Sequence, residues 1–144
     1  MTAENVYRGA CFCGAVQLEL RGAPEVQGYC HCGSCRSWSA GPVNGFTLWK
    51  PSALRITAGA DHLARFNKTA LSTRTFCRAC GGHLYTEHGP WELVDVYAAT
   101  IPEFAFQPGV HVHYQETVLP MRDGLPKFKD IPSEMGGSGQ VLAE

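Results

Sequence analysis

Seven cysteines fall into three tight groups, Cys11/Cys13, Cys30/Cys32/Cys35 and Cys77/Cys80, with none elsewhere in the 144 residues. An odd number leaves one thiol over if the set closes into disulfides. Four plus three, by contrast, divides into the ligand set of a closed structural zinc and that of an open catalytic one. The distribution therefore points to metal, and the division points to an enzyme.

The spacing within each group says how the sulfurs can meet. In an extended strand residues i and i+2 face the same side, so Cys11 and Cys13 are expected to point at one ion while Phe12 turns into the core. Cys77-Arg78-Ala79-Cys80 is followed by Gly81-Gly82, the spacing of a zinc knuckle, in which glycine lets the backbone turn tightly under the sulfurs. The two pairs together make a four-cysteine site whose ligands lie more than sixty residues apart. An ion there ties the first strand to a late hairpin, and its binding is coupled to folding.

The middle group, Cys30-His31-Cys32-Gly33-Ser34-Cys35, offers three sulfurs from one loop, enough for three corners of a tetrahedron. The unfilled corner is where a catalytic zinc takes its substrate. His31 lies between two ligands and, in an extended segment, projects away from them. A turn in the loop is the alternative that would bring it in as a fourth ligand.

Composition describes one compact domain over residues 1–131 and a tail over 132–144. A chain of this length buries roughly two thirds of its unfolded surface, enough for a single core. The segments Val16–Leu20, Phe46–Leu48, Leu54–Ile56, Thr73–Phe76, Leu93–Tyr97 and His111–Tyr114 are rich in strand formers. Gly22-Ala23-Pro24, Ala40-Gly41-Pro42, Lys50-Pro51-Ser52 and Gly89-Pro90 break the chain before a long helix can form. The expected class is all-β, with a turn or two of helix around Ser34–Ser39. The tail, with Gly136-Gly137-Ser138-Gly139, reads either as mobile or as a surface strap.

Twelve Lys and Arg stand against thirteen Asp and Glu, a nearly neutral total. Between Cys30 and Cys80, however, Arg36, Lys50, Arg55, Arg65, Lys68, Arg74 and Arg78 face only Asp61. That excess suits an anionic small molecule or reflects solvated strand faces. No dense basic run or RNA-binding aromatic motif suggests nucleic acid. No apolar run approaches the roughly 20 residues of a membrane span. Met1–Asn5 has neither a basic nor an apolar leader pattern, and a cytoplasmic location, where thiols stay reduced, is the expectation.

Three runs, Gly9-Ala10-Cys11-Phe12-Cys13-Gly14-Ala15-Val16, Cys30-His31-Cys32-Gly33-Ser34-Cys35-Arg36 and Phe76-Cys77-Arg78-Ala79-Cys80-Gly81, resemble the signature motifs of the glutathione-dependent formaldehyde-activating (GFA) family, which also includes centromere protein V-like proteins. The resemblance extends from about Val6 to Lys129, more weakly through His111–Tyr114 and Leu125–Phe128. It implies a β-tent fold of short antiparallel sheets pinned by zinc, with Cys11, Cys13, Cys77 and Cys80 at a structural ion and Cys30, Cys32 and Cys35 at a catalytic one. It also implies a carbon–sulfur lyase that forms S-(hydroxymethyl)glutathione from formaldehyde and glutathione. The nucleophile then comes from the substrate, because a free thiol with a pKa near 8.5 is mostly protonated until a metal holds it.

Outside the cysteines the signals are thinner. Arg36 can fork onto a substrate carboxylate or cap a loop. Trp38 can wall a pocket or sit in the core, and His83 can shuttle a proton or serve as a strand residue. His62, His88, His111 and His113 read as structural, although His111 and His113 would share one face of a strand. No paired carboxylates, G-x-S-x-G or phosphate loop occur. The alternative to a zinc lyase acting on a small thiol–aldehyde adduct is a non-enzymatic, zinc-stabilised module that binds a protein partner.

Overall fold

The β-rich segments and their Gly/Pro punctuation produce many short strands in the computed structural model, which describes residues 4–144; the first three residues of the N-terminal stretch lie outside the described residues. The strands are β1 (Val6–Ala10), β2 (Gln17–Arg21), β3 (Val26–Cys30), β4 (Asn44–Trp49), β5 (Leu54–Ala58), β6 (Leu63–Thr69) and β7 (Ser72–Cys77). They continue with β8 (His83–His88), β9 (Leu93–Tyr97), β10 (His111–Val112), β11 (Lys127–Phe128) and β12 (Val141–Leu142). The single α-helix among the described residues, α1 (Gly33–Ser39), falls where the sequence places it. No helix of the described residues is long and apolar enough to cross a membrane.

The chain forms two compact units, one running to Val26 and resuming over Thr47–Phe106, the other made of Gln27–Phe46 and Gln107–Glu144. In the first, β1, β2 and β5 form an antiparallel sheet in that order. β2 alternates as its sequence requires, with Leu18 and Leu20 buried and Gln17 and Arg21 exposed. A second antiparallel run, β9-β8-β7-β6, is flanked at β9 by the end of β4. Val16, Leu18, Leu20, Trp49, Leu84, Val94, Val96 and Ile101 make the core of this unit, together with Cys11 and Cys77.

Trp49 is held on both its apolar and its polar side. Its ring meets Phe104 edge-on at 5.5 Å, and Tyr7 meets Phe104 at 5.0 Å; each such pair adds about 0.5–1.5 kcal/mol beyond area burial. Its Nε1 donates to Thr47 Oγ1 at 2.8 Å, and that hydroxyl donates onward to the carbonyl of Val96, so the buried Trp49 and Thr47 donors are both paired.

The second unit is built around β10, which pairs parallel with both β3 and β11. The amides of Tyr29 and His31 donate to the carbonyls of Val110 (2.9 Å) and Val112 (3.1 Å). The residue between these donors and Gln27 is a glycine for a steric reason: a Cβ on Gly28 would run into the Val110 carbonyl and its Cγ1. The tail is a strap. β12 pairs antiparallel with β11, and Asp130 Oδ1 accepts from the amide of Ser138 at 2.9 Å, from its hydroxyl at 2.8 Å and from the amide of Ile131.

β11 carries an unusual core residue. Lys127 is 1% exposed, and its ammonium reaches Asp123 Oδ1 at 2.7 Å, the carbonyl of Leu125 at 3.0 Å and Glu144 Oε1 at 3.0 Å. Burial disfavours the charge, but the two carboxylates outweigh it and raise the Lys127 pKa. Burial likewise works against an ionised Asp123, yet Lys127 and His111 hold its carboxyl far below the ordinary range.

Two outcomes are expected. Gly28→Ala should cost about 1–3 kcal/mol by forcing β3 off β10, read as a lowered midpoint in thermal or urea denaturation. Because the folded Asp123 pKa is depressed, its contribution to stability is complete above about pH 4 and is lost as pH falls through the folded value. Asp123→Asn should therefore be less stable than the unaltered chain at neutral pH, and the gap should close in acid denaturation.

Candidate metal centres

The first centre lies wholly in the first unit. Cys11 follows β1, Cys13 closes the turn after it, Cys77 ends β7 and Cys80 precedes β8. The four sulfurs lie within 4.8 Å of one another, with Cys11 to Cys13 at 3.7 Å and Cys13 to Cys77 at 3.9 Å. Sulfurs bound to one zinc at about 2.3 Å stand about 3.8 Å apart along the edge of a tetrahedron, so the donor set fits that ion. Gly81, at φ +74°, makes the knuckle turn, and its amide donates to the Cys77 carbonyl at 2.7 Å.

The route by which Cys11 and Cys13 converge differs from the extended pair expected. Residues 12–15 form turns and bends rather than strand, and the Gly14 amide closes back on the Cys11 carbonyl at 3.1 Å. Phe12, expected in the core, is 92% exposed, because the turn that aims both sulfurs inward throws the intervening ring outward. Backbone amides point at the sulfurs, Val16 N to Cys11 Sγ and Gly82 N to Cys80 Sγ, each at 3.3 Å. The amides of Gly82 and Cys13 bring the Cys80 thiol down to about 6.

The second centre lies wholly in the second unit. Cys30, Cys32 and Cys35 converge within 4.8 Å, and among the described residues no histidine or carboxylate joins them. β3 delivers Cys30, and Cys32 caps α1, its sulfur accepting the Cys35 amide at 3.3 Å as a serine oxygen would. The neighbouring thiols Cys30 and Cys35 lower the Cys32 pKa to about 2, while their crowding with Cys32 drives Cys30 strongly upward. Three sulfurs this close share one negative charge readily and resist more without a cation between them.

The loop is clamped from its own unit. Arg36 Nε donates to the His31 carbonyl at 3.0 Å and Nη2 to that of Glu116 at 3.2 Å. Glu116 Oε1 accepts the Gly33 amide at 3.1 Å, and its Oε2 lies 3.7 Å from His113 Nδ1. His113 does not continue β10 as the sequence suggested. It turns into the left-handed region at φ +52°, its amide donating to the Asp130 carbonyl, so it and His111 do not share a strand face.

His31 has no exposed surface and both ring nitrogens are occupied. Nε2 meets His111 Nδ1 at 2.8 Å, Nδ1 meets the Thr117 hydroxyl at 2.8 Å, and His111 Nε2 meets Asp123 Oδ2 at 2.7 Å. Burial, helped by His111, Lys127 and Arg36, lowers the His31 pKa to about 4, so the ring is neutral at neutral pH. It is thus a buried hydrogen-bonding group and not a fourth ligand.

The remaining candidates separate. Arg36 and Trp38 ride on α1 beside the second centre. His83 begins β8 in the first unit and lines, with Cys11, Phe12 and Gly82, a cleft of about 590 Å³. The partners His111, Glu116, Thr117, Asp123 and Lys127 were not singled out from sequence as site residues. They stand roughly eighty to one hundred positions from the loop they support, and no local pattern links them to it.

Comparison with known proteins agrees with this arrangement. The family model described as glutathione-dependent formaldehyde-activating enzyme matches residues 6–116. A crystal structure of a Rhodobacter sphaeroides protein, a structural-genomics target, superposes with a TM-score of 0.57 at 24% identity, covering 68% of this chain and 90% of that one, and so shares the fold. No curated protein matches. With its mainly β fold, its two cysteine clusters and a match over most of its length, the chain belongs to the glutathione-dependent formaldehyde-activating (GFA) family.

Proposed function

We propose that the protein is a zinc-dependent carbon–sulfur lyase acting on a small thiol–aldehyde adduct, with glutathione and formaldehyde as the first pair to test. The observation that carries this reading is the second centre: three convergent sulfurs, joined by no further cysteine, histidine or carboxylate among the described residues, and a neighbouring histidine whose nitrogens are already used. Cys11, Cys13, Cys77 and Cys80 would hold a structural zinc, and Cys30, Cys32 and Cys35 a catalytic one. Zinc held by these three sulfurs would supply Lewis acidity, lowering the pKa of an incoming thiol.

In the reaction the substrate sulfur bonds to the aldehyde carbon, the carbonyl π pair moves to oxygen, and the proton lost by sulfur ends on that oxygen. The protein's part is to hold geometry. Arg36 and Glu116 fix the backbone of the loop on both sides of Cys32, so little order remains to be imposed when the substrate arrives. Arg36 uses two of its five donors on carbonyls, and we assign the others to a substrate carboxylate.

Two results are expected. Cys80→Ser should cost soluble expression and thermal stability, because a closed structural site is part of the folding free energy, whereas Cys32→Ser should stay folded and lose activity. Equal unfolding of both variants, or a Cys80→Ser variant that loses only activity, would overturn the structural and catalytic labels. Calorimetric titration of reduced glutathione into the zinc-loaded protein should give binding that S-methylglutathione, with its sulfur blocked, does not reproduce, followed by formation of the formaldehyde adduct. Binding of neither would exclude glutathione and turn attention to another thiol or to a binding module.

A further inference from the structure

The buried chain Thr117–His31–His111–Asp123 has a direction. Asp123 Oδ1 faces the buried Lys127 ammonium, which keeps the carboxylate ionised and leaves Oδ2 only able to accept. His111 must therefore carry its proton on Nε2, and its Nδ1 presents a lone pair. That lone pair faces His31 Nε2 at 2.8 Å, so His31 also carries its proton on Nε2, and its own lone pair, on Nδ1, accepts from the Thr117 hydroxyl. The Thr117 oxygen in turn accepts the Leu119 amide at 3.2 Å. Every donor meets one acceptor, and reversing any link would set a lone pair against the carboxylate.

His31 is the residue between Cys30 and Cys32, so whatever orients its ring also orients the backbone between two sulfurs. The ring is wedged as well as bonded, tilted by 31° against His111 with centroids 5.1 Å apart and edge-on to Tyr114 at 4.8 Å. We propose that His111 and Asp123 are positioning residues of the three-sulfur centre: they fix the His31 ring and tautomer, so that the loop presents three sulfurs to an ion while both His31 nitrogens stay engaged. The chain acts on the ligands at one remove, as partners behind a metal site do, and it rests on the reading of Cys30, Cys32 and Cys35 as metal ligands.

The test uses the full-length chain loaded with cadmium-113, whose two centres give separate NMR signals, with chelator competition to read the affinity of each. Nitrogen-15 spectra of the zinc-loaded protein report the tautomers, and His31 and His111 should both carry hydrogen on Nε2. His111→Leu should weaken the three-sulfur centre about tenfold to a hundredfold and leave the four-sulfur centre unchanged. His111→Asn, whose amide oxygen can still accept from His31 Nε2, should recover most of the loss. Should His111→Leu not fold, Thr117→Val, which removes the donor to His31 Nδ1, should show the same selective loss.

A proton on His31 Nδ1, equal affinity in His111→Leu and the unaltered chain, or parallel weakening of both centres would overturn the proposal. A single cadmium signal in the unaltered chain would overturn it together with the second metal site. Neither readout involves a thiol or an aldehyde, so failure of the proposed reaction would leave both standing.

Discussion

Thiolates held within 4.8 Å of one another repel unless a cation lies among them, and both halves of this molecule are organised around such a constraint. In the first unit the crowding is placed in the core, where Cys11 and Cys77 pack beside Leu18, Leu84 and Val96. The turns at both ends of the sulfur set are directed by it, as backbone amides aim at the sulfurs and Phe12 is expelled to make room for two inward thiols. The core already brings Cys11 and Cys77 together, and an ion held by the four sulfurs would tie residue 11 to residue 80 a second time.

The second unit meets the same constraint with a different device. Its strands are two residues long at β10, β11 and β12, too short for ladders to dominate. The space between them is filled by polar side chains that satisfy one another: Lys127, Asp123, Glu144, His111, His31 and Thr117. Such a network rigidifies when complete and is costly when one member is missing. It lies directly behind the loop that has to keep three sulfurs in place.

Much of the site was legible because metal chemistry is written locally. Cys11/Cys13, Cys77/Cys80 and Cys30/Cys32/Cys35 are each a few residues apart, and their grouping alone separated a four-sulfur from a three-sulfur set. The strand expected at Val16–Leu20 was legible from alternation, those at Thr73–Phe76 and Leu93–Tyr97 from residue type, and the helix as a short piece around Ser34–Ser39. β6 was not, since Leu63–Thr69 is polar and exposed along most of its length, and neither were β11 and β12, whose pairing needs partners from distant segments. Phe12 was misplaced because an extended pair and a turn both bring Cys11 and Cys13 together but send the middle residue opposite ways. His111 was set aside as structural, and the partners that give it a role, His31 and Asp123, lie on different segments of the chain.

The spacing of the sulfurs along the chain also bears on its synthesis. Cys30, Cys32 and Cys35 are made before Cys77 and Cys80, so the three-sulfur set is complete while the four-sulfur set still lacks half its ligands. The partners that orient the loop, from His111 to Asp123, are made last of all. A growing chain thus presents the three thiols well before the residues that support their loop have been made.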